Sequence, residues 1–257
     1  MSSETANQAD KVAKGDIVRI DFDGWVEDSN ELFDTTNAQT AQEAGVFNEK
    51  IEYHSIPVLV GGGRIFQGLE EALEGTEVGK EYDIVIPPEK AAGPRDPKLV
   101  DLIALREFLK QDIEPHVGME VNIKNRPGIV TAITAGRVRV DFNRRLAGKS
   151  LKYHFKVLSK AQDDEQKVKD ILEMDYGTSE NFRITIKDGS SVCIVLPDVC
   201  KYDQKWLLAK YRVVADLREG LNAGKVSFVE EYVKPAEAPK EEPAPEEISP
   251  EEIPQEE

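Results

Sequence analysis

Gly61-Gly62-Gly63-Arg64-Ile65-Phe66-Gln67-Gly68-Leu69-Glu70-Glu71-Ala72-Leu73 decides the fold when read with Gly24-Trp25-Val26-Glu27-Asp28 and Leu32-Phe33-Asp34-Thr35-Thr36. Phe66, Leu69 and Leu73 fall at helical spacing with Glu70, Glu71 and Glu74 opposite, predicting a short amphipathic helix that Gly75 stops. Upstream, Val18, Ile20 and Phe22 alternate with Arg19, Asp21 and Asp23, the two-residue period of a half-buried strand. Phe22 therefore faces the core or its mouth. A polar turn over 27–31 precedes Leu32-Phe33-Asp34, and the polar stretch to Glu52 reads as a flap with one helical turn. A short apolar strand follows at 56–60, and Tyr82, Ile84 and Ile86 mark another, ended by Pro87-Pro88, which cannot donate to a continuing ladder.

The same alternation returns at Leu151, Tyr153, Phe155 and Val157. What lies between, 93–148, is too long for a structureless loop inside a compact domain, so it should fold independently as an insertion. Within it, Met119, Val121 and Ile123, then 129–133, then Val138, Val140 and Phe142 predict three strands in an antiparallel meander. The turns are expected at Asn125-Arg126-Pro127-Gly128 and Ala135-Gly136. Beyond Lys160, a helix from about Asp163 carries Val168, Ile171 and Leu172, and Lys187-Asp188-Gly189-Ser190 is a hairpin turn between strands at 182–187 and 192–196. Leu207, Tyr211, Val214, Leu217 and Leu221 mark one face of a long helix that precedes a strand at 225–233.

Composition bounds the function. A chain of 257 residues accommodates roughly two or three domains. Its two cysteines, Cys193 and Cys200, are too few for a disulfide scaffold and are expected as buried or free thiols. The polar opening and the lack of a long apolar run lead us to expect a cytoplasmic protein. The net charge of -16 is uneven: 234–257 holds nine Glu, two Lys and six Pro and is expected to be a disordered, self-repelling tail. Residues 115–145 run the other way, with six Lys or Arg against Glu120 and Asp141.

These motifs resemble the FKBP-type peptidyl-prolyl cis-trans isomerases, most closely the SlyD-like enzymes and their archaeal long-type relatives, which carry a second domain inserted in the flap. Lys11-Val12-Ala13-Lys14-Gly15-Asp16, the 68–75 helix, Val117-Gly118-Met119 and Leu146-Ala147-Gly148-Lys149-Ser150-Leu151 carry the likeness over about 12–159. The resemblance implies an α+β fold: an FKBP-like antiparallel sheet wrapped on a short helix, an inserted small β-rich domain, and a C-terminal α/β domain. The corresponding divisions are a disordered 1–11, an isomerase domain of 12–93 plus 148–160, an insert of 94–147, a C-terminal domain of 161–233 and the tail.

Carried over by residue, the proline pocket comprises Phe22, Phe33, Ile56, Ile65, Phe66, Leu69 and Tyr153, with Asp34 as its polar member. By spacing alone these are ordinary core residues; the order of the motifs makes them a pocket. Where the family places a tyrosine before a glycine, this chain has Ala92-Gly93, so one hydrogen bond to a substrate carbonyl is missing. The insert is expected to hold unfolded, proline-containing clients through Leu99, Val100, Leu102, Ile103, Leu105, Phe108, Leu109 and Ile113, residues that otherwise fill its small core. No cofactor is expected. With His54, His116 and His154 dispersed, no metal site is expected either. Two other functions stay open: a holdase with little isomerase activity, which Ala92 favours, and ribosome or RNA association through the basic insert. A homodimer through the C-terminal helix faces is also compatible with the sequence.

Overall fold

A computed structural model describes residues 11–233; the expectations for 1–10 and for the acidic tail at 234–257 lie outside them. The central element is β1 (Ile17–Val26), whose Val18, Ile20, Phe22 and Val26 are buried as the alternation requires. It pairs antiparallel with β9 (Leu151–Lys160), and β4 (Glu81–Ile86) adds to the far edge of β9. The other edge of β1 is shared, with β3 (Ile56–Leu59) along its first half and β2 (Leu32–Thr35) along its second. These five strands form one antiparallel sheet. The flap after β2 contains α1 (Ala38–Glu43), whose first turn is capped by the Asn37 side chain accepting from Gln39 and Thr40 N–H.

Helix α2 (Gln67–Leu73) buries Leu69 and Leu73, and Gly75 leaves it with φ +81°. Gly68 has no side chain because Ile86 occupies the space a Cβ would fill, which lets the helix lie directly on the end of β4. The Glu70 carboxylate accepts from the backbone N–H of Gly61 and Gly63 at 3.1 and 2.9 Å, tying the glycine run to the helix that follows.

The insert contains the antiparallel meander the sequence predicts and adds a fourth strand beside it. It has four strands: β5 (Val100–Ala104), β6 (Glu120–Ile123), β7 (Arg126–Thr134) and β8 (Arg137–Asp141), in the order β5-β8-β7-β6. The strand β5 escapes the sequence reading because Val100, Leu102 and Ile103 do not alternate cleanly, and its place is fixed by pairing with β8. The first turn is Lys124-Asn125, both at positive φ, so Arg126, Pro127 and Gly128 belong to β7 instead. A short helix, α3 (Leu105–Leu109), presses Phe108 into a core with Val121, Val130, Val138 and Val140.

The C-terminal unit opens with α4 (Asp164–Tyr176), capped by Asp163. A hairpin of β10 (Arg183–Lys187) and β11 (Ser191–Val195) turns at Asp188-Gly189, both at positive φ as expected. Helix α5 (Gln204–Leu221) then crosses over to β12 (Lys225–Val229), parallel to β11. The face of α5 that is buried is not the stripe the sequence marks, with which it shares Leu217. Trp206, Ala209, Val213 and Leu217 face inward, while Leu207 and Tyr211 are 62% and 83% exposed. Both stripes have helical spacing; Trp206, which packs on Tyr176, Phe182 and Phe228, and the small Ala209 fix which one is buried. Cys193 and Cys200 are free thiols.

The C-terminal unit rests on the first sheet. Ile17 and Leu59 join its core, and Gly220 lets Ile17 and Leu59 approach to 3.5 Å of the point where a Cβ would stand. Around this contact Arg19 pairs with Asp170 and Glu173, each at 2.8 Å. Arg64 pairs with Asp175 at 3.0 Å and Asp216 at 2.6 Å. The fully buried Asp175 carboxylate has no well-aligned hydrogen bond, and burial beside Asp216 pushes its pKa up to about 6 despite Arg64 and Arg212. A raised carboxylate pKa means that the folded state binds the proton more tightly. Stability from this group is therefore gained on acidification and lost as pH rises through about 6. Asp175→Asn should gain stability relative to the parent between pH 4.5 and 7.5 by about 2 kcal/mol. Urea unfolding of both proteins at the two pH values checks this; a difference independent of pH refutes it.

Candidate active site

Five elements of the first sheet and its helix converge on one cavity of about 420 Å³, lined by Phe22, Asp34, Ile56, Arg64, Ile65, Phe66, Leu69 and Tyr153. Phe22 comes from β1 and Tyr153 from the adjacent β9, so their rings meet at 5.8 Å between centroids. Ile56 enters from β3, Ile65 and Phe66 from the loop ahead of α2, and Leu69 from the buried face of that helix. Asp34 sits on β2 directly opposite Gly24.

Gly24 is where the geometry is tightest. A Cβ there would stand 2.8 Å from the Phe33 ring and 3.1 Å from Tyr153. The bare backbone allows Phe33 to meet Tyr153 edge-on, at 5.6 Å and 84°. Phe33 thus packs against a wall residue, and it is the one sequence-predicted pocket member that does not line the cavity. Thr36 fixes the end of β2 by accepting the Phe22 N–H at 2.9 Å while its own N–H donates to the Phe22 carbonyl.

The electrostatics are those of an apolar socket with one acid. Asp34 accepts the Thr35 N–H at 3.0 Å and keeps contact with solvent, yet the protein packed around it raises its pKa above the ordinary range. Burial raises the Tyr153 hydroxyl as well, and the neighbouring Asp34 charge adds to the effect. Both groups are held in place without an ion pair to each other, and nothing in the arrangement resembles a nucleophile with its base.

The lining residue that sequence reasoning missed is Arg64. It follows three glycines, and its partners Asp175 and Asp216 lie far along the chain, so no local signal marks it. The predicted client-binding residues separate into two groups. Leu99, Leu102 and Leu109 are exposed and Val100 is half-buried, whereas Ile103, Leu105 and Ile113 pack against the insert core. Phe108 is 3% exposed and is a core residue, which corrects its expected contact with clients. Among the described residues, no helix is long and apolar enough to cross a membrane.

The chain is similar to known proteins along most of its length. The family model described as FKBP-type peptidyl-prolyl cis-trans isomerase matches residues 8–103, the FKBP26 IF domain matches 101–146, and the FKBP26 C-terminal model matches 164–233. The short-type peptidyl-prolyl cis-trans isomerase of Methanocaldococcus jannaschii is 38% identical over 146 residues, which cover 57% of this chain and 92% of that protein. The chain belongs to the FKBP-type peptidyl-prolyl cis-trans isomerases. SlyD of Escherichia coli is 35% identical over 114 residues, 43% of this chain and 58% of SlyD. The FKBP-type 16 kDa isomerase of Escherichia coli is 30% identical over 104 residues, 38% of this chain and 69% of that enzyme. In this FKBP-type isomerase, Gly24→Ala should force Phe33 and Tyr153 apart. A loss of about 1–3 kcal/mol is expected from the overpacking, with at least a tenfold fall in isomerisation rate. Urea unfolding together with a coupled tetrapeptide assay checks both; an undisturbed rate in a folded variant refutes the packing account.

Proposed function

We propose that the cavity takes the proline ring of a polypeptide client and accelerates rotation about its X-Pro bond, with Phe22, Ile56, Ile65, Phe66, Leu69 and Tyr153 as walls, Phe33 as support and Asp34 as the polar member. The observation that carries this reading is the convergence of these side chains, from separate elements, on one apolar cavity of about 420 Å³. An X-Pro bond turns over tens to hundreds of seconds because rotation breaks amide resonance. The planar amide is charge-separated, and the twisted transition state is less so. An apolar wall therefore disfavours the ground state relative to the transition state. An acceleration of ~10⁴ asks for about 5 to 6 kcal/mol, within reach of desolvation plus one placed hydrogen bond.

The same reading divides the chain into an isomerase unit of 12–93 plus 148–160, an insert of 94–147 and a C-terminal unit of 161–233. The insert captures clients. Its sheet ends on β5 and β6, and Leu99, Leu102 and Leu109 stand exposed near the first of these edges. A client held there has a raised effective concentration at the pocket. On α5, the exposed Leu207, Leu208 and Tyr211 supply an apolar patch on which a homodimer would form. The basic residues of the insert favour ribosome association less strongly, because Arg95, Arg126 and Arg145 already pair with Asp141, Asp101 and Glu31.

Ala92 favours one competing reading, capture of proline-containing chains without turnover, since it has no hydroxyl to offer a substrate carbonyl. A tetrapeptide assay separates the two. The isomerase reading expects fast cis-to-trans exchange that falls at least tenfold in Phe22→Ala; parent protein no faster than buffer leaves only capture. Deleting 95–143 should then spare tetrapeptide turnover while crippling the refolding of a proline-limited protein. Equal losses in both assays would refute the assignment of client capture to the insert.

A further inference from the structure

Beside the proline cavity lies a second one of about 390 Å³, and the two share Ile56, Arg64 and Ile65 as lining residues. They are two halves of one depression with Arg64-Ile65 as the sill between them. The outer wall of the second half belongs to the C-terminal unit, where the last turn of α4 contributes Glu173 and Met174, and His54 stands on the rim. That wall is firmly placed. Both Glu173 oxygens accept from the Arg19 guanidinium, at 2.9 and 2.8 Å, and Asp170 accepts from it at 2.8 Å. The sill is anchored the same way, since Arg64 is held by Asp175 and Asp216 of α4 and α5.

We propose that this groove is a subsite for the client residue flanking the proline, that it takes a large apolar side chain, and that the C-terminal unit is therefore part of the substrate-binding surface. The inference rests on the isomerase reading of the proline cavity. An extended peptide advances about 3.3 Å per residue, so a client with its proline seated in the first cavity lays its neighbour across the sill. Ile56, Ile65 and Met174 give that neighbour an apolar seat. The Arg64 guanidinium on the sill offers N–H donors to a client carbonyl, which Ala92 does not. Positions set by ion pairs between two folded units hold the groove in shape before a client arrives, so little ordering is left for binding to bear.

The test is a proline tetrapeptide series in which the residues before and after proline are changed singly from leucine to alanine, assayed with the full chain, Met174→Ala and Phe22→Ala. The full chain should prefer leucine at one flank by about tenfold, the scale of a hydrophobic pocket's discrimination. Met174→Ala should cut that ratio to about threefold or less. A second measurement does not depend on the variant folding: the same peptide with a photoreactive diazirine leucine at the preferred flank should cross-link to the segments holding Met174 or His54. No flank preference, a ratio unchanged in folded Met174→Ala, or cross-links confined to the insert would each overturn the subsite. If Phe22→Ala leaves every peptide rate unaltered, the proline-cavity reading itself fails and takes the subsite with it. Intact dependence on Phe22 with a ratio indifferent to Met174 sinks the subsite alone.

Discussion

The antiparallel ladder between β1 and β9 is the constraint on which the rest of the structure depends. It sets Gly24 against Tyr153 and Phe22 against Phe155, with one irregularity between Arg19 and Ile20. A slip of one residue would turn Tyr153 and Phe155 to the opposite face and dissolve the cavity. Because β9 arrives only after the insert, the ladder also requires the two ends of that insert to meet. They do so where the Gly148 N–H donates to the Gly93 carbonyl at 2.8 Å. The closure entropy of the long intervening chain grows only slowly with its length, and the insert's own core offsets the ordering of its residues.

The second organising interaction is the docking of the C-terminal unit. Its apolar part is modest and centred on Ile17 and Leu59, but it is framed by two arginines, Arg19 on β1 and Arg64 in the loop ahead of α2, that meet four acids of α4 and α5. Buried ion pairs contribute little net stability, because desolvation offsets their attraction. What they impose is geometry: a displaced unit would take Asp175 and Asp216 away from the Arg64 guanidinium they share. The docking is consequently specific, and it fixes the loop that carries Ile65 and Phe66 from behind.

Much of the cavity lining was legible in the sequence. Seven of its eight lining residues lie in the motifs around Phe22, Phe33-Asp34, Ile56, Ile65-Phe66, Leu69 and Tyr153. Phe33 was misplaced by one layer, since a sequence shows which residues cluster but not which ring stands in front. Phe108 was read as a client contact because, in a short helix that also carries Leu105 and Leu109, the sequence does not mark which apolar residue faces solvent.

The strands and helix of the first sheet, the order of the elements and turns such as those at Gly75 and Asp188-Gly189 were determined by the sequence alone, because alternation, helical spacing and positive-φ residues act within a few neighbours. The stripe of α5 that is buried, the membership of β5 in the insert sheet and the presence of Arg64 at the cavity were decided only by the tertiary structure. Each of these depends on a partner supplied from a distant part of the chain, and pairing across such distances leaves no periodic trace in the residues themselves.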